Sequence, residues 1–346
     1  MKKTFYDIFR QKKTKEIKIP YRLNWCSAYL DCIQEKVITS VIDKYMTFTY
    51  APNRSEKVAI YSVELDALYT TSLREYITRQ YNWRDYINGC IAELAQRGYK
   101  IKVGVNIYVD NDLPSGMGLA SSACFLIGIL KVLLEVNGFK YNSNDEYNSY
   151  DDGLLVGAAY SVEHDFLRIP CGLMDFKAVL HTTGIWLIDT SVAFLEVDEL
   201  VTDRRFTIVL LKNNNTYTHT HLNNLTFKTN VAQLQAYLTY KDKLENPRIK
   251  YMFPVIHYCE TQRQEIKNLI ELFKNWDRAK YPSIICDVIL NTSNEALNQF
   301  LGSDRFTDIQ GVQALGSGIG GYGFKVLDRE NAQPIGNYSI TYCRTL

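Results

Sequence analysis

A chain of 346 residues exceeds the roughly 100 to 200 residues of one ordinary core, so two domains or one large α/β unit are expected. Its 46% hydrophobic and 22% charged residues are globular proportions, and 39 Lys and Arg against 38 Asp and Glu exclude the strongly basic face of a nucleic-acid binder. No apolar run reaches the ~18 to 20 residues of a membrane span. The basic segment 1–18 lacks the apolar stretch of a signal peptide, so the expectation is a cytoplasmic protein with no membrane partner. Eight scattered cysteines, without a CxxC pair, read as reduced thiols.

Residues 1–16 are an N-terminal extension for which loose packing is expected. Strand-like runs at 37–42, 45–50 and 57–63 precede an apolar-periodic helix over 73–97. A strand over 101–109 alternates Val103, Val105, Ile107 and Val109 with polar or small residues, and Asp110-Asn111-Asp112 ends it. The loop Pro114-Ser115-Gly116-Met117-Gly118-Leu119-Ala120 then enters a helix with face Cys124, Ile127, Leu130 and Leu134, closed by Asn137-Gly138. A helix over 154–165 leads through Pro170-Cys171-Gly172 to a strand over 184–189. Beyond it come a strand over 207–211, a polar loop at 213–224, helices near 231–244, 262–274 and 294–301, and a final strand over 324–327. This order is α+β, with a domain boundary near 190–205 that separates an N-terminal domain, 17–200, from a C-terminal one, 201–346.

Four segments carry candidate chemistry. In the strand-to-helix loop, Gly116 and Gly118 let backbone approach an anion, and the first-turn N–H groups, followed by Ser121 and Ser122, face that point. An ordinary glycine turn capped by serines is the alternative, and neither a Walker A loop nor GxGxxG is present. The second segment holds Gly316, Gly318, Gly320 and Gly321, which form either a tight turn or a surface for close approach. The third runs from Glu163 to Asp175, whose carboxylate sits among apolar residues after a glycine turn and must be paired, capping or functional. The fourth is Arg22-Leu23-Asn24 with Asp31, where Arg22 is either a core ion-pair partner or a group that steadies a phosphoryl.

In this order the four segments resemble the motifs of the GHMP small-molecule kinases, and within them the galactokinase branch, over roughly residues 17–328. Residues 163–175 follow the galactokinase E-H-x-F-x-G-x-x-C-G-I-M-D pattern nearly position by position, with Arg168 where that pattern has glycine, and Trp83, Tyr86 and Gly89 match W-x-x-Y-x-x-G. The resemblance implies a ribosomal-protein-S5-like α/β domain and a ferredoxin-like α+β domain, with ATP and Mg²⁺ in the cleft. It implies Asp175 as catalytic carboxylate, with Arg22 stabilising it and the transferred phosphoryl group. Nucleotide would lie on Pro114, Gly116, Met117, Gly118, Leu119, Ser121 and Ser122, with Trp83 near the adenine, and Ser122 and Glu163 would hold the metal. Asp31, Tyr29, Gly172 and Asp175 would face the sugar.

One departure bears on the substrate. Where galactokinases have Gly-Glu-His, this chain has Ser27-Ala28-Tyr29, and Ala28 offers no side-chain acceptor for the C6 end of galactose. The expected activity is therefore phosphorylation of the anomeric hydroxyl of a monosaccharide altered or enlarged at the C6 end, with galactose itself still open. A catalytically inactive sugar and ATP sensor and a kinase of another GHMP branch, such as a heptose-phosphate kinase, stay open as alternatives, as does a monomer or a homodimer.

Overall fold

The computed structural model describes residues 2–74, 79, 82–143, 149–191, 197–201, 206–213, 220–240, 252–279, 282–301, 303, 306–315, 322–327 and 338–346. In chain order the first elements are α1 (Phe5–Phe9), β1 (Lys15–Asn24), a 3-10 turn (Leu30–Ile33), β2 (Val37–Pro52), β3 (Lys57–Ser62), β4 (Ala67–Ser72), α2 (Arg84–Gln96), β5 (Val105–Asn111) and α3 (Ser121–Val136). Next come β6 (Lys140–Tyr141), β7 (Ser149–Tyr150), α4 (Asp152–Tyr160), a π-helical turn (Ser161–Phe166), α5 (Met174–Ala178), β8 (Ile185–Ile188) and β9 (Val197–Val201). The remainder is β10 (Thr207–Asn213), α6 (Thr220–Tyr240), α7 (Phe253–Lys274), α8 (Pro282–Leu301), β11 (Val312–Ala314), β12 (Tyr322–Leu327) and β13 (Tyr338–Arg344). The class is α+β, as the sequence predicts. No helix among the described residues is long and apolar enough to cross a membrane.

The chain divides into two compact units, neither of them a continuous segment: Met1–Tyr21, Lys44–Ser115 and Ser121–Leu180 in the first, and Arg22–Asp43, Gly116–Ala120 and His181–Leu346 in the second. In unit 1, β3 pairs antiparallel with β4 and parallel with β5, and β5 pairs antiparallel with β2 over Met46 to Pro52. A parallel pair needs a long crossover, and the stretch between β3 and β5, which contains α2, supplies it. Core packing follows from burial of Phe48, Ile87, Leu94, Leu126, Ile127, Leu130 and Leu155. A Cβ at Gly128 would lie 2.2 Å from the Phe48 ring, so α3 approaches β2 at a distance that only glycine permits.

The N-terminal extension is docked rather than loose. Thr4 and Asp7 cap α1 reciprocally, and Phe5 is buried against Ala51, Tyr61 and Tyr108, with Ile8 and Phe9 beside it. The Tyr108 hydroxyl donates to the Lys3 carbonyl at 2.6 Å, and Gln11 donates to the Pro52 carbonyl at 2.9 Å. Two rings on one face of a five-residue helix bury enough apolar surface to hold it.

Unit 2 contains an antiparallel sheet ordered β11-β12-β10-β13, and α7 packs on α8. Its residues 37–40 of β2 pair with β8, which pairs with β9. Trp25, fully buried, presents its ring edge-on to Phe206, Phe273 and Phe324 at 5.6, 4.9 and 5.8 Å.

Several sequence-derived boundaries shift. The helix expected from residue 73 begins at Arg84, where the Asn82 side chain accepts from the Arg84 N–H at 2.9 Å. The strand expected from 101 begins at Val105; just before it the Gly104 N–H donates to the Ser55 carbonyl at 3.1 Å, and a Cβ at Gly104 would lie 2.1 Å from that oxygen. The runs at 37–42 and 45–50 are one strand, β2. Of the polar stretch 213–224, residues 220–224 are helical, in α6. Polar composition without apolar periodicity reads as a loop, yet backbone hydrogen bonding runs through these residues.

Candidate active site

In unit 1, Glu163 is the centre of the constellation. Its π-helical turn continues α4, with the Leu167 N–H bonded to the Val162 carbonyl at 2.8 Å and the Ile169 N–H to the Glu163 carbonyl at 3.0 Å. Such turns displace side chains from α-helical register. Glu163 is buried, and the hydroxyls of Ser122, in the first turn of α3, and Tyr86, on α2, favour the charged form of its carboxylate. Burial, then the negative charge of Asp175, push its carboxyl up to about 7, and the two hydroxyls offset only part of that. Burial and the adjacent Glu163 raise the Tyr86 phenol well above its ordinary value.

The W-x-x-Y-x-x-G pattern has a local explanation. Gly89 lies one turn beyond Tyr86, and a Cβ there would be 2.6 Å from Val162 and 3.0 Å from Phe166, the residues that flank Glu163 in the π turn. Glycine thus seats α2 closely against the π turn that carries Glu163. Trp83, half-buried at the start of α2, meets Tyr69 edge-on at 6.0 Å. Asp175 lies half-buried in the first turn of α5, just after the buried Gly172. Arg168 has φ 60° on the surface, the left-handed conformation for which glycine is suited.

The helix-start loop has the features of an anion cradle. Gly116 and Gly118 have φ 82° and 79°, and a Cβ at Gly116 would meet no atom within 4 Å, so its conformation rather than crowding requires glycine there. Met117 and Leu119 are buried, and Pro114 is exposed. The Ser121 Oγ is buried and makes no hydrogen bond among the described residues, an orphan at a helix start that a phosphate oxygen would satisfy.

Unit 2 carries the loop residues Gly116 to Leu119 and most of the remaining predicted residues. Arg22 is buried, its N–H donating to the Leu119 carbonyl and one guanidinium nitrogen to the Gly118 carbonyl, both at 3.2 Å. Asp31 is buried in the 3-10 turn. Tyr29 has φ 68°, its hydroxyl accepts from Asn230 at 3.2 Å, and its ring meets Phe300 edge-on. The Ala28 carbonyl accepts from the Tyr258 hydroxyl, and the Ser27 N–H donates to Gln262 at 2.6 Å. The glycine-rich segment with Gly316, Gly318, Gly320 and Gly321 lies outside the described residues. The parts played by Asn230, Tyr258 and Gln262 have no signal in the sequence, because α6 and α7 are more than 200 residues from the turn they hold.

Residues 85–183 match the family described as GHMP kinases N terminal domain. The matched stretch contains Tyr86, Ser122, Glu163 and Asp175, the unit 1 constellation. A galactokinase of Pyrococcus furiosus is 34% identical over 165 residues, 47% of this chain and 43% of that protein, so the matching stretch spans less than half of the relative. A crystal structure of Lactococcus lactis galactokinase complexed with galactose has a TM-score of 0.80 at 18% identity, covering 99% of this chain and 96% of the other. Methanococcus jannaschii mevalonate kinase follows at 0.66 and 13%, covering 97% and 99%. At these identities the likenesses show a shared fold with both structures over nearly the whole chain.

Proposed function

We propose that the protein is an ATP-dependent sugar kinase of the galactokinase type, which transfers the γ-phosphoryl group to the anomeric hydroxyl of a monosaccharide. The observation that carries this reading is the buried Glu163 with Ser122 and Tyr86 on it and the charge of Asp175 nearby, beside a helix start with an orphaned Ser121 hydroxyl.

The donor set fits Mg²⁺. A hydroxyl and a carboxylate are hard oxygen ligands, and the proximity of a second carboxylate is a repulsion that a divalent cation relieves. Among the described residues no group of three or more His, Cys, Asp or Glu side chains is poised for a metal, which suits an ion held mainly by substrate phosphates. When bound, Mg²⁺ neutralises charge on the β- and γ-phosphates. Ser122 and Glu163 would hold it, and Tyr86 keeps the carboxylate oriented. Backbone at Gly116, Gly118, Leu119 and Ser121 would receive the phosphates. Asp175 accepts the acceptor hydroxyl's proton or orients that hydroxyl, and Arg22, fixed by the Gly118 carbonyl, stabilises the transferred group by charge. Trp83 packs near adenine.

On the acceptor side, Asp31, Tyr29 and Gly172 would address the sugar. Ala28 offers only its carbonyl, already engaged by Tyr258, so galactose loses a contact of about 1 to 3 kcal/mol at C6. A heptose, a 6-deoxy sugar, a pentose or a uronic acid fits better. ADP release from ATP and Mg²⁺ across such a panel tests the reading, with Asp175→Asn alongside. Turnover lost in the variant supports it; ATP binding with silence across the panel refutes it.

A further inference from the structure

An open pocket of about 860 Å³ in unit 1 lies against the docked extension, and its lining holds Lys2, Lys3, Lys12 and Lys13 against a single carboxylate, Asp110. The volume falls within the ~300 to 1,000 Å³ of small-molecule sites. Lys2 pairs with Asp110, Lys3 with Asp66 at 2.8 Å, and Lys13 with Glu16 at 3.3 Å, while Lys12 has no carboxylate partner among the described residues. Positive charge therefore remains in excess at the rim.

Two aromatic residues complete the lining. Tyr6 is 55% exposed, whereas Tyr108 beneath is 8% exposed and tied to the Lys3 carbonyl. The capping box, the buried Phe5 and the Gln11 bond to Pro52 hold the lysine-bearing backbone in place, so the concavity is preformed. Ammonium groups as point charges suit phosphate oxygens, and an exposed phenol ring offers a face for a planar base.

We infer that this pocket is a second ligand site, for a nucleoside phosphate, built by the extension that precedes the first sequence motif. It uses no residue of the candidate active site, so failure of the kinase reading leaves it untouched.

The test is calorimetric titration of the full chain with ADP and with inorganic tripolyphosphate, at low salt and at high salt, for the wild type and Lys12→Ala/Lys13→Ala. The wild type should bind ADP at one more site per chain than the double variant, and tripolyphosphate affinity should drop roughly tenfold in the variant and fall with salt. Tyr6→Ala should weaken ADP at that site and leave tripolyphosphate unchanged. Equal stoichiometry and affinity in wild type and double variant would overturn the site, and tripolyphosphate binding without ADP binding would overturn the nucleoside assignment. Should the double variant fail to fold, Lys12→Gln, at an exposed position, takes its place with the same two outcomes.

Discussion

Replacing Glu163 with glutamine keeps the side chain's shape and an acceptor for the Ser122 and Tyr86 hydroxyls, but removes the ionisation. In the folded protein this carboxyl is raised from 4.5 to about 7, so between those values the folded state holds more protons than the unfolded one. Stability is greatest below about pH 4.5, falls as pH rises through the window, and levels off above about 7. At about 1.4 kcal/mol per unit, the displacement corresponds to about 3 kcal/mol at pH 8. Glu163→Gln should therefore be more stable than wild type at pH 8 without metal, by up to about 3 kcal/mol, and should lose the associated pH slope. Added Mg²⁺ should recover stability in the wild type and not in the variant. Urea unfolding at pH 5, 6, 7 and 8, with and without Mg²⁺, reads all three effects. A variant no more stable than wild type at pH 8, with an unchanged slope, would refute the electrostatic account of this site.

Three further outcomes are expected. Asp175→Asn should draw the Glu163 carboxyl back toward its ordinary range by removing a negative charge, so that the pH dependence of Mg²⁺ affinity moves to lower pH, while phosphoryl transfer falls by at least about a thousandfold and nucleotide binding survives. Gly89→Ala should destabilise by about 1 to 3 kcal/mol in urea titrations, because its Cβ falls 2.6 Å from Val162, and should weaken Mg²⁺ affinity as the Tyr86 contact slips. Arg168→Gly should stabilise by about 1 kcal/mol, measured as a higher urea midpoint, since an exposed arginine at φ 60° carries left-handed strain that glycine lacks.

The helix-start loop was legible because its signal is local: glycines at positive φ and serines at a helix start declare a backbone geometry within ten residues. The segment from Glu163 to Asp175 was legible for the same reason, down to Arg168 at a position whose conformation favours glycine. What brings Glu163 to Ser122 and Tyr86 was not legible. A π turn replaces the α-helix expected through residue 165, and apolar periodicity does not distinguish the two over six residues. The docking of the extension leaves no trace in the sequence pattern, because a five-residue helix is too short to show periodicity, although Phe5 and Phe9 lie four apart. Around Ala28 the difficulty was distance along the chain, as with the Tyr258 hydroxyl on its carbonyl.

The discontinuity of the two units bears on how the protein is made. Residues 22–43 belong with 116–120 and 181–346, so the segment that carries Leu23, Trp25, Leu30 and Ile38, all fully buried in the finished protein, leaves the ribosome long before most of its partners exist. At about 5 to 20 residues per second the wait is on the order of tens of seconds. Unit 1 is complete in sequence at Leu180 and has the opportunity to fold first, with this apolar stretch still unsheltered. During synthesis this apolar stretch is therefore open to the non-native contacts that lead to aggregation.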